Sequence, residues 1–245
     1  MTLNRVNFRR TDYSYPLLEP AADKIADFLY TYKSRVREFC DLMRISSGWS
    51  KADYPNKLSR WASFALGKRK KTEPPDTKQL IESAYLFFDT CQNDNDIKKM
   101  RGLVPEKLVE KIFAQRYEGK QCHKGFGAVV KVDGQDVKYR CLSPYNNGPI
   151  DSDGNRQTVD AGAWDGTKGE FIEVKFNPEA FHTKDIRYLQ ELASELKSKG
   201  LDYLIYLIAM DNKELTETRL KHLGFWVPGE FVLIGREEVF ELQTA

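Results

Sequence analysis

The sequence is poor in the residues that most metal and redox chemistry needs. Four cysteines, Cys40, Cys91, Cys122 and Cys141, are scattered with no CxxC pair, so neither a disulfide framework nor a ribbon-type zinc site is indicated. Cys122, His123 and Cys141 match no standard zinc spacing, and no fourth ligand accompanies them. Only three histidines occur, His123, His182 and His222, which disfavours a histidine-metal centre. There is no P-loop and no dinucleotide glycine motif. No apolar run is long enough to cross a bilayer, and Tyr203 to Met210 has the length of a buried strand. The opening MTLNRVNFRR lacks the apolar core of a signal peptide, so a cytoplasmic protein without membrane contact is expected. Net charge is also scarce: +2 over 245 residues excludes a bulk polycation and leaves nucleic-acid binding to local patches.

What is present is enough for a folded chain. Hydrophobic residues make up 41% and aromatic residues 12%, which supports a buried core. From about Asp12 to Met100 the pattern is helical. Ile25, Phe28, Leu29, Tyr32, Val36, Phe39 and Met43 predict one long amphipathic helix, and YPNKLSRWASFAL and PDTKQLIESAYLFFDTC predict two more. A further helix is expected to begin near Pro105, with Leu108, Val109, Ile112 and Phe113 on its apolar face. Two hairpins follow, about the turns Asp133-Gly134 and Asp165-Gly166. A helix ending near Gly200, a buried strand from Leu201 to Ala209, a short helix and a final strand over FWVPGEFVLIG, interrupted by Pro228, complete the reading. The expected organisation is a helical domain over residues 1–100 and, over 101–245, an α/β domain with one mixed sheet flanked by helices.

The second hairpin carries charges that a purely structural strand would not need, because burying an unpaired charge is costly. Glu173 and Lys175 alternate with Val174 and therefore share one face of their strand, and Asp160 lies on the partner strand. Two carboxylates so placed form an all-oxygen site suited to Mg²⁺. A surface hairpin with a cross-strand ion pair is the structural alternative.

Asp160, twelve intervening residues, and Glu173-Val174-Lys175 on a turn-linked strand pair flanked by helices resemble the PD-(D/E)XK nuclease superfamily, the restriction-endonuclease-like fold. The resemblance covers about Leu103 to Ala209. Val159 stands where the formal motif has proline. The resemblance implies a metal-dependent nuclease hydrolysing DNA phosphodiester bonds, an endonuclease of restriction or antiviral defence, with repair or recombination as the next setting. It implies metal binding by Asp160, Glu173 and the Val174 carbonyl, with Mg²⁺ as the ion and Mn²⁺ as a substitute, and Lys175 serving the attacking water or the phosphate. It offers Glu106, with Glu110 as the alternative, on the preceding helix, and Gln190 or Arg187 on the following one. Glu106 reads equally well as a helix-start carboxylate favoured by the macrodipole. Duplex DNA is the expected partner, and a homodimer is expected by resemblance only.

The helical half falls outside the resemblance. Its run from Lys51 to Lys71 holds seven basic residues against one acidic, with Tyr54, Trp61 and Phe64 interleaved. Lys68, Arg69, Lys70 and Lys71 are the candidate phosphate contacts, the alternative being a small bundle with a solvated basic face. That half can bind DNA, dimerise or dock a protein. A non-cleaving nucleic-acid-binding or protein-interaction module on a nuclease-like fold is the alternative function.

Overall fold

The computed structural model describes residues 3–11, 15–67, 75–140 and 156–244. The chain divides into two compact units, one formed by Ser14–Ile112 and the other by Met1–Tyr13 together with Phe113–Ala245. The expected boundary near residue 100 therefore moves to residue 112, and the first residues belong to the second unit.

The first unit is helical: α1 Glu19–Thr31, α2 Val36–Ile45, α3 Tyr54–Gly67, α4 Pro75–Thr90 and most of α5 Asp94–Arg116. The single long helix expected from Glu19 onward is two helices, parted by a 3-10 turn at Lys33–Arg35. The break turns Arg35 inward, where its guanidinium meets Asp76 at 2.7 and 2.9 Å and Glu38 at 2.5 Å. Helix α5 likewise does not start at Pro105 but runs through it. An interior proline costs roughly 3 kcal/mol, whereas burying each of Leu103, Val104, Leu108, Val109 and Ile112 gains about 1.5–3 kcal/mol. The apolar face outweighs the lost hydrogen bond. Tyr54, a candidate base-stacking residue, is buried and stacked on Phe88 at 5.3 Å, with its hydroxyl donating to Asp89. Lys51 donates to the Phe88 carbonyl at the end of α4. Both serve the bundle; of the three aromatics Phe64 is exposed. Lys68, Arg69, Lys70 and Lys71 lie outside the described residues.

The second unit is α/β. Its strands are β1 Val6–Arg10, β2 His123–Val132, β3 Gln135–Asp136, β4 Thr158–Trp164, β5 Lys168–Lys175, β6 Asp202–Ala209 and β7 Val232–Ile234. They form one mixed seven-stranded sheet in the order β1-β2-β4-β5-β6-β7, with β3 paired to the end of β2. Pairing is antiparallel as far as β5 and parallel from β5 through β6 to β7. Helix α6 Thr183–Ser198 and helix α7 Lys213–Leu223 supply the flanking layer.

The first expected hairpin is reduced. Its turn is present, with Asp133 and Gly134 both at positive φ (46° and 84°), but its second strand is only Gln135–Asp136. β1 supplies the full-length neighbour of β2 instead, from Val6 opposite Val132 to Arg10 opposite Ala128. The sequence reading assigned no strand there. Phe8 of β1 lies across the glycines of the next strands: a Cβ on Gly162 would fall 2.4 Å from the Phe8 ring, and one on Gly125 2.3 Å from its Cβ. On the α6 side the core is built from Phe171, Ile186, Leu189, Leu192, Leu207 and Leu220.

Candidate active site

The β4–β5 hairpin is fixed at its turn. Asp165 Oδ1 accepts from the backbone N–H groups of Thr167 (2.8 Å) and Lys168 (2.7 Å), and Gly166 takes the left-handed φ of 93° that the turn requires. Register then runs from Trp164 opposite Gly169 to Ala161 opposite Ile172. There the ladder stops. The Val174 N–H donates to Asp160 Oδ2 at 2.7 Å, so a carboxylate takes the place of a β4 carbonyl and the strands part at Asp160. On the other side of β4 the register with β2 skips Gly127, whose φ is 48°. β5 meanwhile stays paired to β6 as far as Lys175 opposite Ala209. The opening thus lies at the carboxyl end of the parallel strands, where open α/β sheets place ligands.

Asp160, Glu173 and Lys175, read together from the sequence, are together in the structure. Lys175 Nζ contacts Glu173 Oε1 and lies 3.9 Å from Asp160 Oδ2. Glu173 is fully buried, and Asp160 and Lys175 are partly buried. Two further residues complete the cluster. Asp185, in the first turn of α6, is buried and accepts the His182 N–H at 2.9 Å. Arg156, just before β4, places one guanidinium nitrogen 2.7 Å from each oxygen of Glu173 and 3.3 Å from Asp160 Oδ1. Its other terminal nitrogen lies 3.5 Å from Asp185. The sequence pattern singles out neither Arg156 nor Asp185. An acid near a helix N-terminus has a local explanation, and only the three-dimensional approach of α6 to β5 adds the second one.

Three carboxylates and two cations leave the cluster one negative charge in excess. Glu173 carries the consequence: burial, with Asp160 and Asp185 adding to it, pushes its pKa up to about 7 against the opposing pull of Arg156 and Lys175. For Lys175, burial by itself favours loss of the proton, but Glu173 and Asp160 outweigh it and hold the pKa above the ordinary lysine value. Lys175 is therefore an ammonium here. Tyr188, one turn after Asp185, has a fully buried ring and hydroxyl.

Gln190 and Arg187, the candidates on α6, have partners outside the cluster. Gln190 donates to Glu230 at 3.1 Å and is spent on tying α6 to the segment before β7. Arg187 lies over the Phe225 ring at 4.7 Å. Glu106 belongs to the helical unit, its carboxylate over Gly102 one turn earlier on α5. The Val174 side chain is buried on the face opposite Glu173, while its backbone N–H meets Asp160. The other acid in β5, Glu170, points to that opposite face and is fully partnered by Arg116 (2.5 Å), Tyr117 (2.6 Å) and Tyr206 (3.2 Å). It is a structural anchor.

The donor chemistry fits a hard divalent cation, since carboxylate oxygens converge from three elements. They surround the Arg156 guanidinium, and among the described residues no three His, Cys, Asp or Glu side chains form a group that could hold a metal ion. No described helix is long and apolar enough to cross a membrane.

No protein-family model matches the chain, and no curated protein matches it. Among solved structures the chain is similar to protein VC1899 from Vibrio cholerae, with 17% identity and a TM-score of 0.47 over 98% of this chain and 57% of that one. The chain thus spans a little over half the length of that protein.

Proposed function

We propose that the protein is a metal-dependent nuclease that hydrolyses phosphodiester bonds of DNA, built on a restriction-endonuclease-like sheet. The observation that carries the reading is the cluster at the parting of β4 and β5, where Asp160, Glu173 and Lys175 meet at the carboxyl end of the parallel strands. Asp160 and Glu173, with the Val174 carbonyl, would hold Mg²⁺ or Mn²⁺, and Asp185 stands beside them as a third carboxylate. Such an ion supplies Lewis acidity and offsets the charge that develops on a phosphate during displacement. Lys175, kept protonated by its acidic neighbours, is suited to neutralising phosphate charge rather than to accepting a proton. Duplex DNA as the substrate, a role in restriction or defence and a homodimeric state belong to the same proposal.

A second reading, a binding module that does not cut, has one observation in its favour: Arg156 and Lys175 already compensate most of the acidic charge. Incubation of supercoiled plasmid, linear duplex and single-stranded DNA with Mg²⁺, Mn²⁺ or EDTA separates the two. Metal-dependent cutting should be lost in E173A and K175A. No cutting of any substrate, together with no metal binding by calorimetry, would sink the nuclease and favour the binding module.

A further inference from the structure

We propose that Arg156 is an internal counter-ion occupying the position that a divalent cation takes among Asp160, Glu173 and Asp185, so that guanidinium and metal exclude one another. The inference rests on the reading of this cluster as a metal site. One terminal nitrogen of Arg156 is equidistant, at 2.7 Å, from the two oxygens of Glu173 and 3.3 Å from Asp160, while the second reaches toward Asp185 at 3.5 Å. A cation chelated by the Glu173 carboxylate and bound by Asp160 would need that same space. Lys175 does not compete in this way, because it approaches a single oxygen of Glu173 and stays 3.9 Å from Asp160.

Charge supports the exchange. With Glu173 ionised and Arg156 in place the three carboxylates and two cations sum to one negative charge; with Arg156 withdrawn they sum to two, which one divalent ion neutralises. A guanidinium cannot be discharged at any ordinary pH, so it leaves the site only by moving. The backbone of Arg156 is held by a pair of hydrogen bonds with Tyr139, at 2.9 and 3.1 Å. The movement is therefore a rotation of the side chain, and it breaks the Nε bond to the Thr158 carbonyl at 3.1 Å along with the contacts to the three carboxylates.

The test is Mn²⁺ titration of the full chain by calorimetry, with Mn²⁺-dependent thermal stabilisation as a second readout, in wild type, R156Q, R156K and R156Q/E173Q. R156Q should bind Mn²⁺ at least tenfold more tightly than wild type, and the gain should vanish in R156Q/E173Q. If R156Q does not fold, R156K, which keeps the charge but loses the planar fork, should still bind several-fold more tightly. Mn²⁺ binding by wild type that is unchanged or weaker in the Arg156 variants overturns the counter-ion and leaves the metal site standing. A gain that survives in R156Q/E173Q places the ion elsewhere and also overturns it. Absence of Mn²⁺ binding in wild type and every variant overturns the proposed function, and the counter-ion with it.

Discussion

At the scale of single residues, the raised pKa of Glu173 makes stability depend on pH in a definite direction. The folded protein holds the Glu173 proton up to about pH 7, whereas the unfolded chain releases it near the ordinary value of 4.5. Between these limits the folded state binds more protons, so this group's contribution falls as pH rises from about 4.5 to about 7 and is constant above. The span of the shift corresponds to about 3 kcal/mol at most. E173Q removes the titration. In urea unfolding at pH 4.5, 6 and 8, the stability of the variant relative to wild type should rise across that window by an amount up to about 3 kcal/mol. A constant difference between the two proteins would remove Glu173 as the titrating group. The three residues read from the sequence were legible because strand alternation alone puts Glu173 and Lys175 on one face and the turn brings Asp160 to them. Arg156 and Asp185 were not, because nothing in their local spacing relates them to β5: one becomes a neighbour through its pairing with Tyr139 and the other through the packing of α6.

At the scale of elements, the close approach of Phe8 to Gly162 ties β1 to the strand that carries Asp160. Overpacking of such a contact costs typically 1–3 kcal/mol. G162A should lower stability by about that amount, and F8A/G162A should recover part of the loss measured against F8A alone. Additive losses in that cycle would mean that the ring and the glycine do not share the space. β1 escaped the sequence reading because its VNFRR offers only two apolar residues in alternation, too short a run to be separated from loop, and its partner lies far along the chain. The turns Asp133-Gly134 and Asp165-Gly166 were legible because positive φ has so few residues to serve it. The break between α1 and α2 was hidden because the apolar spacing continues across it; what stops the helix is the inward turn of Arg35 toward Asp76, a contact some forty residues away in sequence.

At the scale of the whole molecule, one unit is contiguous and the other is not: Ser14–Ile112 separates β1 from the rest of its sheet. A chain starting at Phe113 would lack Val6, which is fully buried, and would leave the β2 edge unpaired. Its melting temperature should rise when a peptide of residues 1–13 is added, as strand addition restores the ladder. A melt unaffected by the peptide would show that β1 contributes little to the sheet. The helical unit alone should melt without any such dependence. The boundary was misplaced at residue 100 for the same reason: α5 is one helix spanning the division, and no change of composition marks residue 112.

The separation of β1 from β2 also sets a clock during synthesis. Val6 pairs with Val132, so β1 waits for about 120 residues to be made before its partner exists, on the order of ten seconds at roughly 5–20 residues per second. The helical unit, which ends at Ile112, is complete shortly before β2 begins at His123 and can fold first. Until β2 arrives, the backbone groups of β1 remain available to any other unpaired strand, and a nascent-chain chaperone would find its exposed segment there.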